Sequence, residues 1–246
     1  MQSSIIRQSP EESRRFGFRV GRCMDLDGSV QAESDLEGIE KYDVVILRRP
    51  VQNLNRLKLL KSNRYVAFHA DTLIYWTWID DGRELLCEDV SIKRSSDLYK
   101  LELLVRDVFE SYENHYFSNP VFQTDLVLSG YVEWAQRNCS TVGSYILLSE
   151  PSDEEVGFAT VAWNEDVPNV ELAGIRSKMR GKGHYRNLML AIMQETRIAE
   201  KSSVQISTQV TNLIVQRAWA SLGWKPTEVQ ETIHLVRGDL VRGVWS

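Results

Sequence analysis

The stretch Glu171-Leu-Ala-Gly-Ile-Arg-Ser-Lys-Met-Arg-Gly-Lys-Gly-His-Tyr185 runs directly into the apolar segment Leu188–Met193. It reads as a strand, a short turn, and a basic glycine-rich loop that opens a helix. A helix N-terminus presents unpaired N–H groups and a partial positive charge, and together these suit a phosphate. Gly181 and Gly183 let the backbone approach an anion with no Cβ in the way, and Arg180 and Lys182 add charge. The stretch is not a Walker A loop, because no Gly-Lys-Ser/Thr follows four spacer residues. It is not the Gly-x-Gly-x-x-Gly dinucleotide fingerprint either, because the third glycine is missing. A basic βα turn with no ligand is the alternative that these residues leave open.

Working outward, three strands are expected before the loop, at Ser144–Leu148, Val156–Trp163 and Val170–Ile175. The loop opens a helix over Gly183–Glu200, with Leu188, Ala191, Ile192 and Ile198 facing inward. A strand at Val204–Ser207, a helix at Asn212–Leu222 ended by Gly223, and a strand at Thr232–Val236 follow. The earlier part of the chain is less regular. Its first forty residues are charge-dense and predict an irregular start. Asp43–Leu47 is a short apolar run suited to a buried strand, and Val51–Lys61 carries leucines at helical spacing. Tyr65–Phe68 and Thr72–Trp78 are rich in aromatic and β-branched residues and predict two strands. Asp97–Tyr116 places Leu98, Leu101, Leu104, Val105, Val108 and Phe109 on one helical face, with Asn119-Pro120 closing the segment. Thr124–Arg137 predicts a further helix with Thr124 as its N-cap. No linker composition marks a join, and the two halves meet near residue 138.

The chain has 246 residues, of which 43% are hydrophobic and 26% charged. That composition excludes disorder, collagen and low-complexity arrays. The longest unbroken apolar run is Leu188–Met193, far short of the ~20 residues a membrane-spanning helix needs. No cationic start followed by an apolar segment marks a secretory signal. Three scattered cysteines, Cys23, Cys87 and Cys139, suggest reduced thiols in a cytoplasm rather than a disulfide frame or a zinc site. A net charge of −5 argues against nucleic acid as the main partner, although a local basic patch could still hold a phosphate.

The loop resembles the acyl-CoA-binding motif of the GCN5-related N-acetyltransferases, Arg/Gln-x-x-Gly-x-Gly/Ala at a helix start. Arg180 and Gly183 fill its first two slots, and Tyr185 stands in the last, where the family has Gly or Ala. Downstream, Asn212-Leu-Ile-Val-Gln-Arg-Ala-Trp219-Ala-Ser-Leu-Gly223-Trp224 is similar to the family's Asn-x-x-Ala-x-x-x-Tyr-x-x-x-Gly-Phe segment. Order and spacing agree across roughly residues 140–237. A finer likeness joins the first half to dTDP-fucosamine acetyltransferase-like proteins, which modify an amino group on a nucleotide-linked sugar. It rests on Tyr42–Pro50, Ala70–Tyr75, the layout His115-Tyr116-x-x-Asn119-Pro120, and Tyr131-Val-Glu-Trp134.

The resemblance implies a mixed α/β fold with a splayed central sheet in the C-terminal half. A smaller α/β part precedes it, readable as a degenerate copy of the same fold. Residues 1–138 would then bind the acceptor, and residues 139–246 would form the acetyl-CoA-binding domain. The implied reaction is direct attack by the amino group of a nucleotide-linked amino sugar on acetyl-CoA, with no metal. The implied partners are acetyl-CoA and that small-molecule amine, with no nucleic acid and no membrane span, and with a homodimer as the assembly to consider. A peptide or polyamine acetyltransferase and a non-catalytic acyl-CoA-binding module are the rival readings.

Backbone amides near Ala173, Gly174 and Ile175 would bond the pantetheine arm. Arg180, Gly181, Lys182, Gly183, His184 and Tyr185 would hold the pyrophosphate. Asn212 would bond the pantetheine or cap the next helix. Glu171 and His115 are the candidate bases. For Glu171 the alternative is an ion pair with a surface Lys or Arg, and for His115 an ordinary hydrogen-bonded histidine at a helix end. His69 and His234 read as structural. Trp219 stands where relatives carry a Tyr that can protonate the leaving thiolate, and an indole N–H is far too weak an acid for that step. The proton must then come from water or another side chain.

Overall fold

Pro10 at its start and Gly17 at its end (φ 76°) punctuate a short helix that the charge-dense N-terminal sequence conceals. The computed structural model of the chain describes residues 4–25, 28–30, 33–51, 64–85, 90–141, 144–149, 154–163 and 166–244. In it β1 (Ser4–Ile5) and β2 (Arg7–Gln8) precede this helix, α1 (Pro10–Phe16). Then come β3 (Val20–Met24), β4 (Leu36–Glu37) and β5 (Val44–Pro50), so the irregular start expected for the first forty residues is corrected. The helix expected over Val51–Lys61 lies, beyond Val51, outside the described residues, as does Cys87.

The two strands expected within residues 65–78 are one, β6 (Tyr65–Ile79), because the polar His69-Ala-Asp71 step stays extended. After β7 (Val90–Ser95), α2 (Leu98–Phe109) starts on Asp97, whose carboxylate accepts from the Lys100 N–H at 3.0 Å. Its face is as expected except for Leu98, which is 41% exposed in the first turn. The helix stops at Phe109 rather than Tyr116. The Asn114 side chain takes the Tyr116 N–H at 3.0 Å and turns the chain instead. Thr124 is likewise no N-cap: Thr124–Leu126 is a single 3₁₀ turn, and α3 (Val127–Thr141) follows it.

The remaining elements match the expected order. They are β8 (Ser144–Ser149), β9 (Glu154–Ala162), β10 (Asn169–Ile175), α4 (His184–Ile198), β11 (Ser203–Gln209), α5 (Leu213–Ser221) and β12 (Lys225–Arg237). A last helix, α6 (Gly238–Val244), closes the described chain. Leu188, Ala191 and Ile192 of α4 are buried, whereas Ile198 is 71% exposed. Ile198 is the last helical residue, and the chain leaves through Glu200 in the left-handed region, φ 56°.

The chain divides into two compact units. One comprises Met1–Leu73, Glu113–Gly130 and Glu228–Ser246; the other comprises Ile74–Tyr112 and Tyr131–Thr227. In the first, β3 runs parallel to β5, and β12 lies antiparallel along β5 from Gln230↔Pro50 to Val236↔Val44. Val45 and Leu47, two apart on β5, share a face and pack with Cys23, Ile39, Tyr65 and Leu235. In the second, the strand order is β6-β11-β10-β9-β8-β7, antiparallel from β10 outward to β7. Its core joins Trp76 and Trp78 of β6 to Leu188, Met189 and Ile192 of α4 and Trp219 of α5. Trp76 and Trp78 are therefore core residues. Among the described residues no helix is long and apolar enough to cross a membrane.

Candidate active site

The second unit opens where its two central parallel strands part. β10 and β11 pair only at Asn169↔Gln205 and Val170↔Ile206, although β10 continues to Ile175 and β11 to Gln209. Glu171 starts the divergence. On the β9 side Val170 faces Val161 and Leu172 faces Thr160, so Glu171 is the extra residue of a bulge. Beyond it Ala173, Gly174 and Ile175 pair with β9 alone, and β10 presents an unpaired edge to the opening. Gly174 is required by close approach: a Cβ there would meet Val108 Cγ1 of α2 at 2.2 Å.

The loop that follows is braced from α2. Arg176 pairs with Asp107 at 2.8 Å, and Ser177 donates to the same carboxylate through its N–H (3.1 Å) and its hydroxyl. Burial works to raise the Asp107 carboxyl, but the Arg176 and Ser177 bonds outweigh it and hold the group below its usual range. Arg180 donates to the carbonyls of Ile175 (3.2 Å) and Val108 (2.9 Å). Through Nε and Nη2 it anchors the loop, while the residue itself stays exposed. Gly181 (φ 77°) and Gly183 (φ 82°) are left-handed, and a Cβ on either would meet nothing within 4 Å. The loop is open above both glycines.

Gly183 occupies the N-cap of α4 with no side chain to cover the first-turn amides. Lys182 is exposed beside them, and the buried His184 Nδ1 has no hydrogen-bond partner. Free amides, a lysine and an orphaned imidazole nitrogen fit a pyrophosphate. Among the described residues no group of His, Cys, Asp and Glu is placed to hold a metal ion.

Glu171 is half-buried, and no cation is paired with it among the described residues. Its Oε2 accepts from Trp134 Nε1 at 2.6 Å and from Asn138 Nδ2 at 2.9 Å. These two neutral donors replace the Lys or Arg of the alternative reading, and Oε1 is left for something else. Trp134 extends a row of rings: Tyr131 stacks on Phe109 (centroids 4.3 Å, 9° between planes) and lies 6.4 Å from Trp134 at 18°. Tyr112 meets both Phe109 and Tyr131 edge-on.

No family model and no curated protein matches the chain. Solved structures do. A GCN5-related N-acetyltransferase from Sphaerobacter thermophilus superposes with a TM-score of 0.55 at 13% identity, covering 79% of this chain and 60% of that one. The fold is that of the GCN5-related N-acetyltransferases. A second such protein, from Kribbella flavida, gives a TM-score of 0.52 at 10% identity over 89% of this chain and 81% of that one. The glucosamine N-acetyltransferase region of a fungal multi-domain GH3 β-N-acetylglucosaminidase gives 0.52 at 9%, over 79% and 26%.

In this acetyltransferase fold the residues expected from the loop and its strand fall together in the second unit. Asn212 takes the N-cap position of α5 but makes no capping bond; its Nδ2 donates to Thr208 Oγ1 at 3.0 Å. Trp219 is 1% exposed, and its indole Nε1–H donates to the Tyr185 hydroxyl at 3.1 Å. His115 lies in the first unit, buried, with Nδ1 at 2.8 Å from His234 Nε2. Burial first, and His234 second, hold the His115 ring well below the usual histidine range. The partners Trp134 and Asn138 were not foreseen. Their signal was the spacing 131, 134, 138 on α3, which puts a Tyr, a Trp and an Asn on one helix face.

Proposed function

We propose that the chain is an acyl-CoA-dependent N-acetyltransferase that acetylates the amino group of a sugar carried on a nucleotide. The observation that carries this reading is the parting of β10 from β11 beside an open, left-handed glycine loop at a helix N-terminus. Acetyl-CoA would lie with its pantetheine along the unpaired edge at Ala173–Ile175, near Asn212. Its pyrophosphate would lie on the amides of Gly181–Tyr185, with Lys182 and His184 Nδ1 beside them. When bound it supplies an acyl group activated as a thioester.

The chain's own residues do the rest. Amides of the β10 edge stabilise negative charge on the acyl oxygen, where losing one donor costs about 3 kcal/mol. Glu171 Oε1 receives the amine as an ammonium and takes its surplus proton, directly or through one water. Glu171 is preferred to His115 because His115 Nδ1 is already bonded to His234. The half-buried Trp134 ring, whose Nε1–H holds that carboxylate, would offer a sugar ring an apolar surface beside it. Trp134 and Asn138, which hold Glu171, both fall within residues 1–138, the span to which the acceptor role is given. Cys23 and Cys139 are buried thiols that form no disulfide, in keeping with a reducing cytoplasm.

The test is a screen of acetyl-CoA consumption against nucleotide-linked amino sugars, free amino sugars, peptides and polyamines. Turnover confined to the nucleotide-linked sugars is the expected result. Preference for a peptide or polyamine overturns the acceptor assignment. Absence of any calorimetric heat with CoA overturns the reading as a whole.

A further inference from the structure

The register of the first unit's sheet places its charged side chains. Arg7 of β2 lies opposite Arg22 of β3, Arg22 is level with Ile46 of β5, and Ile46 is level with His234 of β12. The next row carries Met24, Arg48 and Thr232. Side chains level with one another share a face, so three arginines stand in two adjacent rows. They lie on the side away from Val45 and Leu47, which pack in the core of the other face. Solvent reaches them: Arg7 and Arg22 are exposed, and Met24 beside Arg48 is 52% exposed.

Each donor here is held from behind and keeps one N–H unused. Arg22 donates from Nε and Nη2 to Glu12, each at 2.7 Å, and Tyr116 donates to the same carboxylate. Nη1 of Arg22 has no acceptor among the described residues. Arg48 uses only Nε, on Thr232 Oγ1 at 3.4 Å, and neither of its Nη nitrogens has an acceptor among the described residues. The Val121 N–H donates to Asn119 Oδ1 at 3.2 Å, which fixes Nδ2 as the end that meets His234 Nδ1. His234 Nδ1 is then unprotonated, its Nε2–H donates to His115 Nδ1, and the proton of the neutral His115 ring sits on Nε2. His115 is 8% exposed, and that N–H has no acceptor among the described residues. A buried donor in this state calls for a partner. Burial first, and His234 second, hold the His115 ring low, and the charges of Arg22 and Arg48 add to this. The guanidinium groups therefore stand close to the ring.

The charge balance says what the partner is. The two rings are neutral, and the one carboxylate bonded to the three arginines among the described residues is Glu12. Two positive charges are left. A carboxylate ligand would bring a single negative charge, whereas a phosphate ester brings about −1.5 to −2 near neutral pH. A guanidinium with free N–H groups also meets phosphate oxygens side by side. We propose that this face of the first unit is a phosphate-binding site, with Arg48, Nη1 of Arg22 and the Nε2–H of His115 as its donors. Glu12 and His234 fix two of these donors before the ligand arrives, which lowers the ordering cost of binding. The group bound is a phosphate ester or a diphosphate. Two sources offer it, a nucleotide-linked sugar and a small phosphorylated effector. Every residue of the site lies in the first unit, so the proposal does not depend on the acetyltransferase reading.

Calorimetry with inorganic pyrophosphate tests this on the full chain, in the Gly183→Glu variant so that the glycine loop of the second unit takes no part. This chain should bind pyrophosphate, and adding Arg48→Gln should weaken binding at least about tenfold. Adding Arg48→Lys instead, which keeps the charge and loses the planar fork, should restore part of that loss. Arg48 bonds only Thr232, so both variants should unfold in urea near the parent's midpoint. The ¹⁵N resonance of His115 Nε2 should move when pyrophosphate is added, and should stay put in Arg48→Gln. A nucleoside diphosphate sugar without an amino group identifies the source. Binding at least about tenfold tighter than pyrophosphate assigns the site to a nucleotide-linked sugar, and binding no tighter assigns it to a free effector.

Absence of pyrophosphate heat in the Gly183→Glu chain overturns the site. So does an unmoved His115 resonance, or equal weakening by Arg242→Gln, which removes an exposed arginine of α6. None of these outcomes involves CoA, so failure here leaves the acetyltransferase reading untouched.

Discussion

Glu171 shows how much one side chain's role depends on partners far away in sequence. Its place on a strand beside a glycine loop is legible from the sequence. That both its neighbours are neutral is not, because Trp134 and Asn138 lie over thirty residues upstream on another element. With both bonds on Oε2, Oε1 is left without a partner among the described residues, as an ammonium-binding base requires. Glu171→Gln keeps the size and an acceptor oxygen but removes the basicity. It should lower kcat/KM for the acceptor ~10²-fold near neutral pH, with the deficit shrinking as pH rises and the amine deprotonates unaided. CoA affinity by calorimetry should not change. A deficit independent of pH would make Glu171 a binding group only.

At the scale of elements, α2 and the glycine loop are one assembly, and the sequence discloses only half of it. The loop's glycines are legible because they serve local geometry. The end of α2 is not: apolar spacing continues past Phe109, and only the Asn114 turn and the burial of His115 and Tyr116 in the other unit stop the helix. The contact of Val108 with Gly174 was equally hidden, since it joins residues 66 positions apart. Gly174→Ala should cost about 1–3 kcal/mol in urea unfolding, because its Cβ would fall within 2.2 Å of Val108 Cγ1. Val108→Ala in the same chain should recover much of that loss, and a strictly additive double variant would place the strain elsewhere. Gly183→Glu tests the loop itself. A side chain in the left-handed region costs about 1–2 kcal/mol, and the carboxylate would repel a phosphate. CoA should then give no heat while the circular dichroism spectrum stays native. Wild-type CoA affinity in this variant would remove the phosphate role from the loop.

At the scale of the whole molecule, no single cut in the chain separates the two compact units, because residues 113–130 and 228–246 return to the first. Periodicity reports elements one at a time, so it could not foresee which distant segments share a core. What that return builds is a buried polar network. Arg22 bonds Glu12 through two nitrogens at 2.7 Å, Tyr116 donates to Glu12, and Asn119 Nδ2 lies 3.1 Å from His234 Nδ1. An amide nitrogen only donates, so His234 Nδ1 is unprotonated, and its Nε2–H donates to His115 Nδ1. Both rings are neutral. Burial is the main cause that brings His234 down to about 3, with Arg22 and Arg48 adding to it and Glu12 opposing; burial first and His234 second hold His115 well below its usual range. In the unfolded chain both titrate near 6.5. Above that pH neither state binds the protons, and the network contributes its full stability. As pH falls from 6.5 towards 3 the unfolded state alone takes them up, so stability falls by about 1.4 kcal/mol per pH unit for each histidine. Glu12 is also held low: burial raises its carboxyl, but the Arg22 pairing overcomes this, so it adds to the loss only below its usual carboxylate range. Between pH 6.5 and 5 the slope therefore belongs to histidines. Urea unfolding across that window should show it, and His234→Gln, which keeps an N–H donor for His115, should reduce it by about one proton whatever its baseline stability. A stability that stays flat from pH 6.5 to 5 in wild type would mean that the pair is protonated in the folded state.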